Sequence, residues 1–264
     1  MNSVNRTHQE VDTARIVATG ISDVGHARAE NEDSIWLDNA GLVLLLADGM
    51  GGHERGAEAS QTAIKNFREL LTPETIKKEA AEITAAAGVP PEIGSLYTII
   101  FRAIGKTANF LSDRNEELKL DLFMGTTIVG LVLVADTHVL WFHIGDSRLY
   151  RWRNSVLKQL TIDHSAYAQW QRKGGIGDPP PKNLLTRVMG NNPLVEADIE
   201  YDKREKDDIF ILCSDGLTDM VTDMQIGDIL KARNNVTDIA NSLVDSALAA
   251  GGKDNISVIV CKVQ

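Results

Sequence analysis

A chain of 264 residues with 43% hydrophobic residues can bury a sizeable core, which sets disorder aside. Its formal charge of -10 speaks against nucleic acid as a partner, because phosphate backbones attract clustered Lys and Arg. The two cysteines, Cys213 and Cys261, lie in apolar strand-like runs without CxxC spacing and read as core thiols rather than as a disulfide. Apolar runs such as Ile128 to Ala135 fall well short of the roughly 18 residues of a membrane span. The first residues lack the basic start and apolar stretch of a signal peptide, so a cytoplasmic protein with no membrane contact is expected.

Residues 1–13 are polar and aperiodic and read as a flexible lead-in, with residues 14–264 as one domain. Strand-like runs follow at 15–21, 34–37 and 42–47. A helical pattern runs from Glu54 to Leu71, with Ala57, Ser60, Ala63, Ile64 and Phe67 on one face. Residues 72–93 read as a short helix and a loop closing on Pro90 and Pro91, before a second long helix from Ser95 to Asn115. That helix carries Leu96, Ile99, Ile100, Ala103 and Phe110 at helical spacing.

From Gly125 the pattern turns to consecutive strands at 126–135, 138–144, 148–153 and 156–161, separated by short turn-like gaps. Residues 163–190 are long and irregular, with Gly174, Gly175, Gly177 and the run Pro179 to Pro181, and read as a functional flap. Within it, Tyr167 and Trp170 are three apart and share one side of a helical turn, with Trp170 expected to pin the flap to the body. Strands at 196–202 and 208–213 follow, then helices at 223–232 and 236–249 and a last strand from Ile256 to Val263. Strands and helices come in blocks, which predicts an α+β fold of antiparallel sheets packed face to face with helices outside.

Four aspartates stand out by position. Asp48, Asp146 and Asp215 each close an apolar strand and precede a small residue, while Asp254 immediately precedes the last strand. Taken singly, Asp-Gly after a strand is a hairpin signal. Antiparallel neighbours, however, set the end of one strand beside the start of the next, so the four can converge on one edge. Carboxylates crowded there repel one another unless a cation neutralises them, and oxygen ligands select hard ions such as Mg²⁺ or Mn²⁺. Two such ions sharing a water would present hydroxide to an electrophile, and a phosphate monoester suits that arrangement. Upstream, Arg28 offers a planar fork of donors matched to phosphate oxygens, although an Arg taken by itself reads first as a solvated surface charge.

The ordered elements Arg28–Asp33 (RAENED), Asp48–His53 (DGMGGH), Gly125–Thr127, Gly145–Arg148 (GDSR), Ser214–Leu217 (SDGL) and Gly252–Asn255 (GKDN) resemble the metal-dependent serine/threonine protein phosphatases of the 2C type, over nearly the whole chain. The resemblance implies a four-layer α-β-β-α sandwich with two Mn²⁺ or Mg²⁺ ions at one end. By motif, Asp48 would bridge both ions, the Gly49 carbonyl would bind one, and Asp215 and Asp254 would complete the second ion's shell. Glu32 and Asp33 would act through water, Asp146 with Asp215 would take a weaker third ion, and Arg28 would hold the substrate phosphate. Asn255, Thr126 and Thr127 would support the site rather than act in it.

Mammalian members place His directly after the first Asp-Gly, as a proposed general acid. Met50 stands there here, as in the bacterial branch, and it cannot donate a proton. His53 is near in sequence, and His164 matches a family element with flap or core packing as its expected duty. The partners implied are phosphorylated proteins and a cognate serine/threonine kinase, for a monomer in bacterial signalling. A catalytically dead relative that binds phosphoproteins is the alternative, and it predicts lost ligands; a member devoted to one phosphorylated regulator is a third reading.

Overall fold

The computed structural model describes residues 6–51, 55–84, 89–119, 122–233 and 235–264. In chain order the first half holds β1 (Arg6–Asp12), β2 (Ile16–Asp23), β3 (Asp33–Leu37), β4 (Val43–Met50), α1 (Arg55–Leu70), α2 (Pro73–Ala80) and α3 (Pro91–Leu118). Then come β5 (Gly125–Thr126), β6 (Ile128–Val134), β7 (His138–Ile144), β8 (Arg148–Arg153), β9 (Val156–Gln159) and α4 (Ala166–Arg172). The chain closes with β10 (Asp198–Lys203), β11 (Ile209–Cys213), α5 (Asp215–Thr218), α6 (Asp223–Ala232), α7 (Val236–Ala249) and β12 (Ile256–Val263).

The strands form two antiparallel sheets, in the orders β1-β2-β12-β11-β8-β9 and β10-β7-β6-β4-β3, with β5 paired to the end of β4. Strand side chains alternate between faces, and here both faces of each sheet are covered. Leu44, Leu46, Val129, Leu131, Phe210, Leu212, Ile259 and Cys261 fill the space between the sheets. Val43, Leu45 and Ile128 face α1 and α3, and Ile211, Cys213, Val258 and Val260 face α6 and α7. Double coverage is why these strands read as unbroken apolar runs rather than as alternating ones. The expected four layers, helix on sheet on sheet on helix, are present.

Cys213 and Cys261 are buried free thiols on opposite faces of adjacent strands, and burial pushes both up to about 12. Three expectations change in detail. Residues 6–12, read as lead-in, form an edge strand paired in full with β2, from Arg6 opposite Asp23 to Asp12 opposite Val17. The third helix begins at Pro91, because proline fits the first helical position, where no amide is needed. Its buried face drifts along 28 residues to Thr107, Ala108 and Leu111, leaving Phe110 46% exposed.

Candidate metal-dependent active site

One end of the sandwich is polar where its middle is apolar. The register that points Ala18, Ile35, Leu46, Val129, Trp141, Leu149, Leu212 and Ile259 between the sheets also points Ser22, Asp33, Asp48, Thr127, His143, Ser147, Ser214 and Ser257 there, at one end. Asp33 and Asp48 are direct cross-strand partners at the start of β3 and near the end of β4. Asp48 does not sit in a hairpin turn: β4 runs on through Gly49 and Met50, paired with Thr126 and Gly125. Asp215 likewise opens the short helix α5 rather than a hairpin.

A hydrogen-bond frame fixes the backbone around these carboxylates. The Asp48 amide donates to Thr127 Oγ1 at 3.0 Å, and its carbonyl accepts from the Thr127 amide at 2.8 Å. Ser214 Oγ donates to Asp33 Oδ2 at 2.9 Å across the two sheets. Asn255 accepts the Glu32 amide at 2.8 Å and donates to the carbonyls of Val24 and Glu30, both at 2.9 Å, tying the Arg28–Asp33 segment to β12. Glu32 Oε1 accepts the Gly56 amide at 3.0 Å near the start of α1, an end that favours negative charge. Gly49 is packed so tightly that a Cβ would lie 2.0 Å from the Gly56 carbonyl oxygen, so only glycine fits there.

The electrostatics are those of carboxylates crowded together at one end of the sandwich. Burial, and then Asp215 and Asp254, push Asp33 up to about 7 despite its bonds from Ser257 and Ser214. Burial, then Asp215 and Asp163, push Asp146 up to about 8. Asp215 rises to about 6, through burial and then Asp254 and Asp219, and Asp48 rises well above the carboxylate range through burial and then Asp33. All-oxygen donors held together against their own repulsion fit hard divalent cations.

Each expected residue can now be placed. Asp33, Asp146, Asp215 and Asp254 all lie close enough to Asp48 to raise its proton affinity, and Glu32 and Gly49 adjoin them through the bond from the Gly49 amide to the Glu32 carbonyl, 3.2 Å. Arg28 is neither a lone surface charge nor free: its Nη2 donates to Asp254 Oδ2 at 2.7 Å, with the Arg28 side chain 49% exposed. Gly52 and His53 lie outside the described residues. His164 is buried and stacks on His143. The sequence motifs gave Ser214 no role and passed over Ser22 and Ser257; the signal of all three is a polar residue at or near one end of an apolar run.

The flap meets this end. A cleft of about 260 Å³ separates Asp146 and Asp215 from Tyr167, Gln171 and Lys182. A second, of about 570 Å³, runs from Met50 and Phe123 to Leu184, Arg187 and Leu194. Tyr167 and Trp170 do share a side, their rings 5.6 Å apart. Trp170 Nε1, however, donates to the Ile176 carbonyl at 3.0 Å and its ring lies against Gly175, so Trp170 braces the flap's own glycine turn. Attachment to the body comes instead from Met189 bridged to Thr126 and from Asn115 donating to the Gly190 carbonyl at 3.0 Å.

A double antiparallel sheet with an aspartate cage at one end and a flap beside it defines a metal-dependent phosphohydrolase. The model of the protein phosphatase 2C family matches residues 26–250, and the chain belongs to that family. It is 34% identical over 248 residues to the serine/threonine phosphatase stp of Listeria monocytogenes serotype 4b, covering 90% of this chain and 92% of that one. Its structure is similar to that of the Mycobacterium tuberculosis serine/threonine phosphatase PstP/Ppp, with a TM-score of 0.79, 30% identity, and coverage of 95% of this chain and 99% of that one. A structure of the PstP catalytic domain in complex with two manganese ions matches with a TM-score of 0.75 at 30% identity, covering 94% and 98% of the two chains. Among the described residues, no helix is long and apolar enough to cross a membrane.

Proposed function

We infer that the chain hydrolyses phosphoserine and phosphothreonine in proteins, with two divalent ions, Mn²⁺ or Mg²⁺, held at the aspartate end. The observation that carries this reading is the convergence at one end of the sandwich of buried Asp33 with half-buried Asp48, Asp146 and Asp215, each with its proton affinity raised by desolvation and by neighbouring carboxylates. Asp48, the Gly49 carbonyl, Asp215 and Asp254 would hold the two ions, Glu32 and Asp33 would act through water, and Asp146 with Asp215 would take a third. When bound, the ions supply a nucleophile at neutral pH and neutralise oxygens of the transferring phosphoryl group.

The chain's own residues do the rest. Arg28 stands at the rim with its guanidinium on Asp254, where Nη and Nε donors can take phosphate oxygens in its partly exposed setting. Met50, beside the cage, has no proton to give, so the leaving serine oxygen takes its proton from water. A non-catalytic phosphoprotein binder would have no need of a complete set of carboxylates in one frame. Phosphorylated proteins are the substrates in this reading, and a cognate serine/threonine kinase is their source.

The test is hydrolysis of a small aryl phosphate and of a phosphothreonine peptide. Activity on both should vanish with chelator and return with Mn²⁺ or Mg²⁺, zinc being a poor substitute. Turnover that survives exhaustive chelation would sink the reading.

A further inference from the structure

His164 lies outside the aspartate cage, yet it grips the residue just before Asp146 at both ends. The His164 amide donates to the Gly145 carbonyl at 2.9 Å, and the Gly145 amide donates to His164 Nδ1 at 3.2 Å. Gly145 has φ +105, and a Cβ there would lie 2.5 Å from Thr127 Cγ2. A glycine has little preference of its own for peptide orientation, so hydrogen bonds at its two backbone groups must supply it. The orientation of that peptide sets the path into Asp146. On the other side of Asp146, Ser147 Oγ bonds Thr127 Oγ1 at 2.7 Å, and Thr127 Oγ1 takes the Asp48 amide.

The same histidine reaches the flap and the sheet edge. Its carbonyl accepts the Thr186 amide at 2.7 Å, and its Nε2 lies 3.3 Å from Asp198 Oδ2 on β10. Arg187 Nη1 donates to Asp198 Oδ1 at 2.6 Å, while His143 stacks on the His164 ring with centroids 4.4 Å apart. The buried Gly145 amide needs an acceptor, which places the lone pair on Nδ1 and the proton on Nε2, facing Asp198; Arg187 Nη1 also lies 3.2 Å from Nε2, but its shorter bond, 2.6 Å, goes to Asp198 Oδ1. Burial, with His143 and Arg187 adjacent, holds this imidazole neutral by pushing it down to about 4.

Nitrogen and oxygen atoms of His143, His164 and Asp198 lie within 4.8 Å of one another, a spacing a transition metal could bridge. The chemistry is against it. His143 Nε2 donates to the Ile162 carbonyl at 2.9 Å, which leaves a lone pair on its buried, unpartnered Nδ1, but His164 offers none beside it: its Nδ1 is taken by Gly145 and its Nε2 carries the proton, while Arg187 already supplies the positive charge to Asp198. The group is a hydrogen-bonded clamp.

We propose that His164 is a positioning residue for catalysis: its neutral, Nε2-protonated ring and its amide together hold the Gly145 peptide, and so the Asp146 carboxylate, in register with the cage and couple that register to the flap. The proposal rests on the assignment of Asp146 to the third ion, and the test separates the two. Steady-state hydrolysis of an aryl phosphate and its Mn²⁺ activation curve are measured for His164→Ala, His164→Asn, Asp146→Ala and the double variant His164→Ala/Asp146→Ala, with urea midpoints for each. Misplacing a group that orients a metal ligand lowers activity or metal affinity about 10–100-fold. His164→Ala should therefore lower kcat by about tenfold, with KM little changed and half-activation moved to higher Mn²⁺. His164→Asn places an amide oxygen near the Nδ1 position and should recover most of the rate. The double variant should be no slower than Asp146→Ala alone.

Multiplying losses in the double variant, or an Asn variant that is folded yet no better than Ala, would make His164 a packing residue and overturn the proposal. An impaired Asp146→Ala beside a folded His164→Ala of wild-type rate would overturn it while leaving the third-ion assignment standing. A silent Asp146→Ala would remove that assignment and this route together.

Discussion

Ser214 Oγ donates to Asp33 Oδ2 at 2.9 Å, and this bond joins the end of β11 in one sheet to the start of β3 in the other. The same Ser214 Oγ accepts the Ser257 amide at 3.0 Å, so one hydroxyl links a carboxylate of the cage to two strands of the opposite sheet. Ser214→Ala leaves a buried carboxylate short of a donor, which costs about 1–3 kcal/mol. The expected outcome is a lower urea midpoint in chelator with the fold retained, and an unchanged midpoint would make the bond incidental.

Asp48→Asn and Asp215→Asn each remove a charge from the crowded end of the sandwich, where Asp33 and Asp215 raise the proton affinity of Asp48, and Asp254 and Asp219 raise that of Asp215. Activity should fall by at least about a hundredfold. In chelator at pH 8 the melting temperature should be equal to or above that of the wild type, because like-charge repulsion is relieved. A variant with near-normal turnover would remove that aspartate from the metal shell.

Stability of the metal-free protein should depend on pH in a definite sense. Asp215, Asp33 and Asp146 are raised to about 6, 7 and 8, so the folded state binds protons that the unfolded chain releases. Unfolded carboxyls titrate near pH 4. The contribution of these groups is therefore greatest at or below about pH 4 and is lost as pH rises toward 8. Metal binding displaces those protons, so the rise in melting temperature given by Mn²⁺ should be larger at pH 8 than at pH 6. Parallel pH profiles with and without Mn²⁺ would contradict the assignment.

Arg28→Ala should lower kcat/KM by about one to two powers of ten, since hydrogen bonds to a charged group contribute about 1.5–3 kcal/mol. Arg28 also holds Asp254, so the Mn²⁺ activation curve is measured alongside. A loss that saturating Mn²⁺ fully restores would assign Arg28 to the metal shell rather than to the phosphate.

Trp170→Ala should slow a phosphopeptide more than an aryl phosphate, because Trp170 braces the turn at Gly175 and Ile176 in the flap, away from the cage. Equal slowing of both substrates with a lower melting temperature would leave Trp170 a structural brace only.

The sequence by itself determined the layers, most of the strands and the four aspartates. Apolar runs of strand length, broken by Asp-Gly and Asp-Ser, are local signals, and antiparallel pairing carries them to one edge without further information. The ordered motifs made the family legible as well. What only the tertiary structure decided is how each group is held. Asp48 lies in a continuing strand and Asp215 opens a helix, because the partners that overrule a local turn signal, Thr126 for one and the Asn255 backbone packed on Gly216 for the other, are far away in sequence. Residues 6–12 became a strand for the same reason, since a polar segment takes an edge position when β2 offers a full row of unpaired backbone groups. The attachment of Arg28 to Asp254 and the grip of His164 on Gly145 join residues that no periodicity relates; pairings across a fold are fixed by which strand ends meet, and that is a property of the packed sheets.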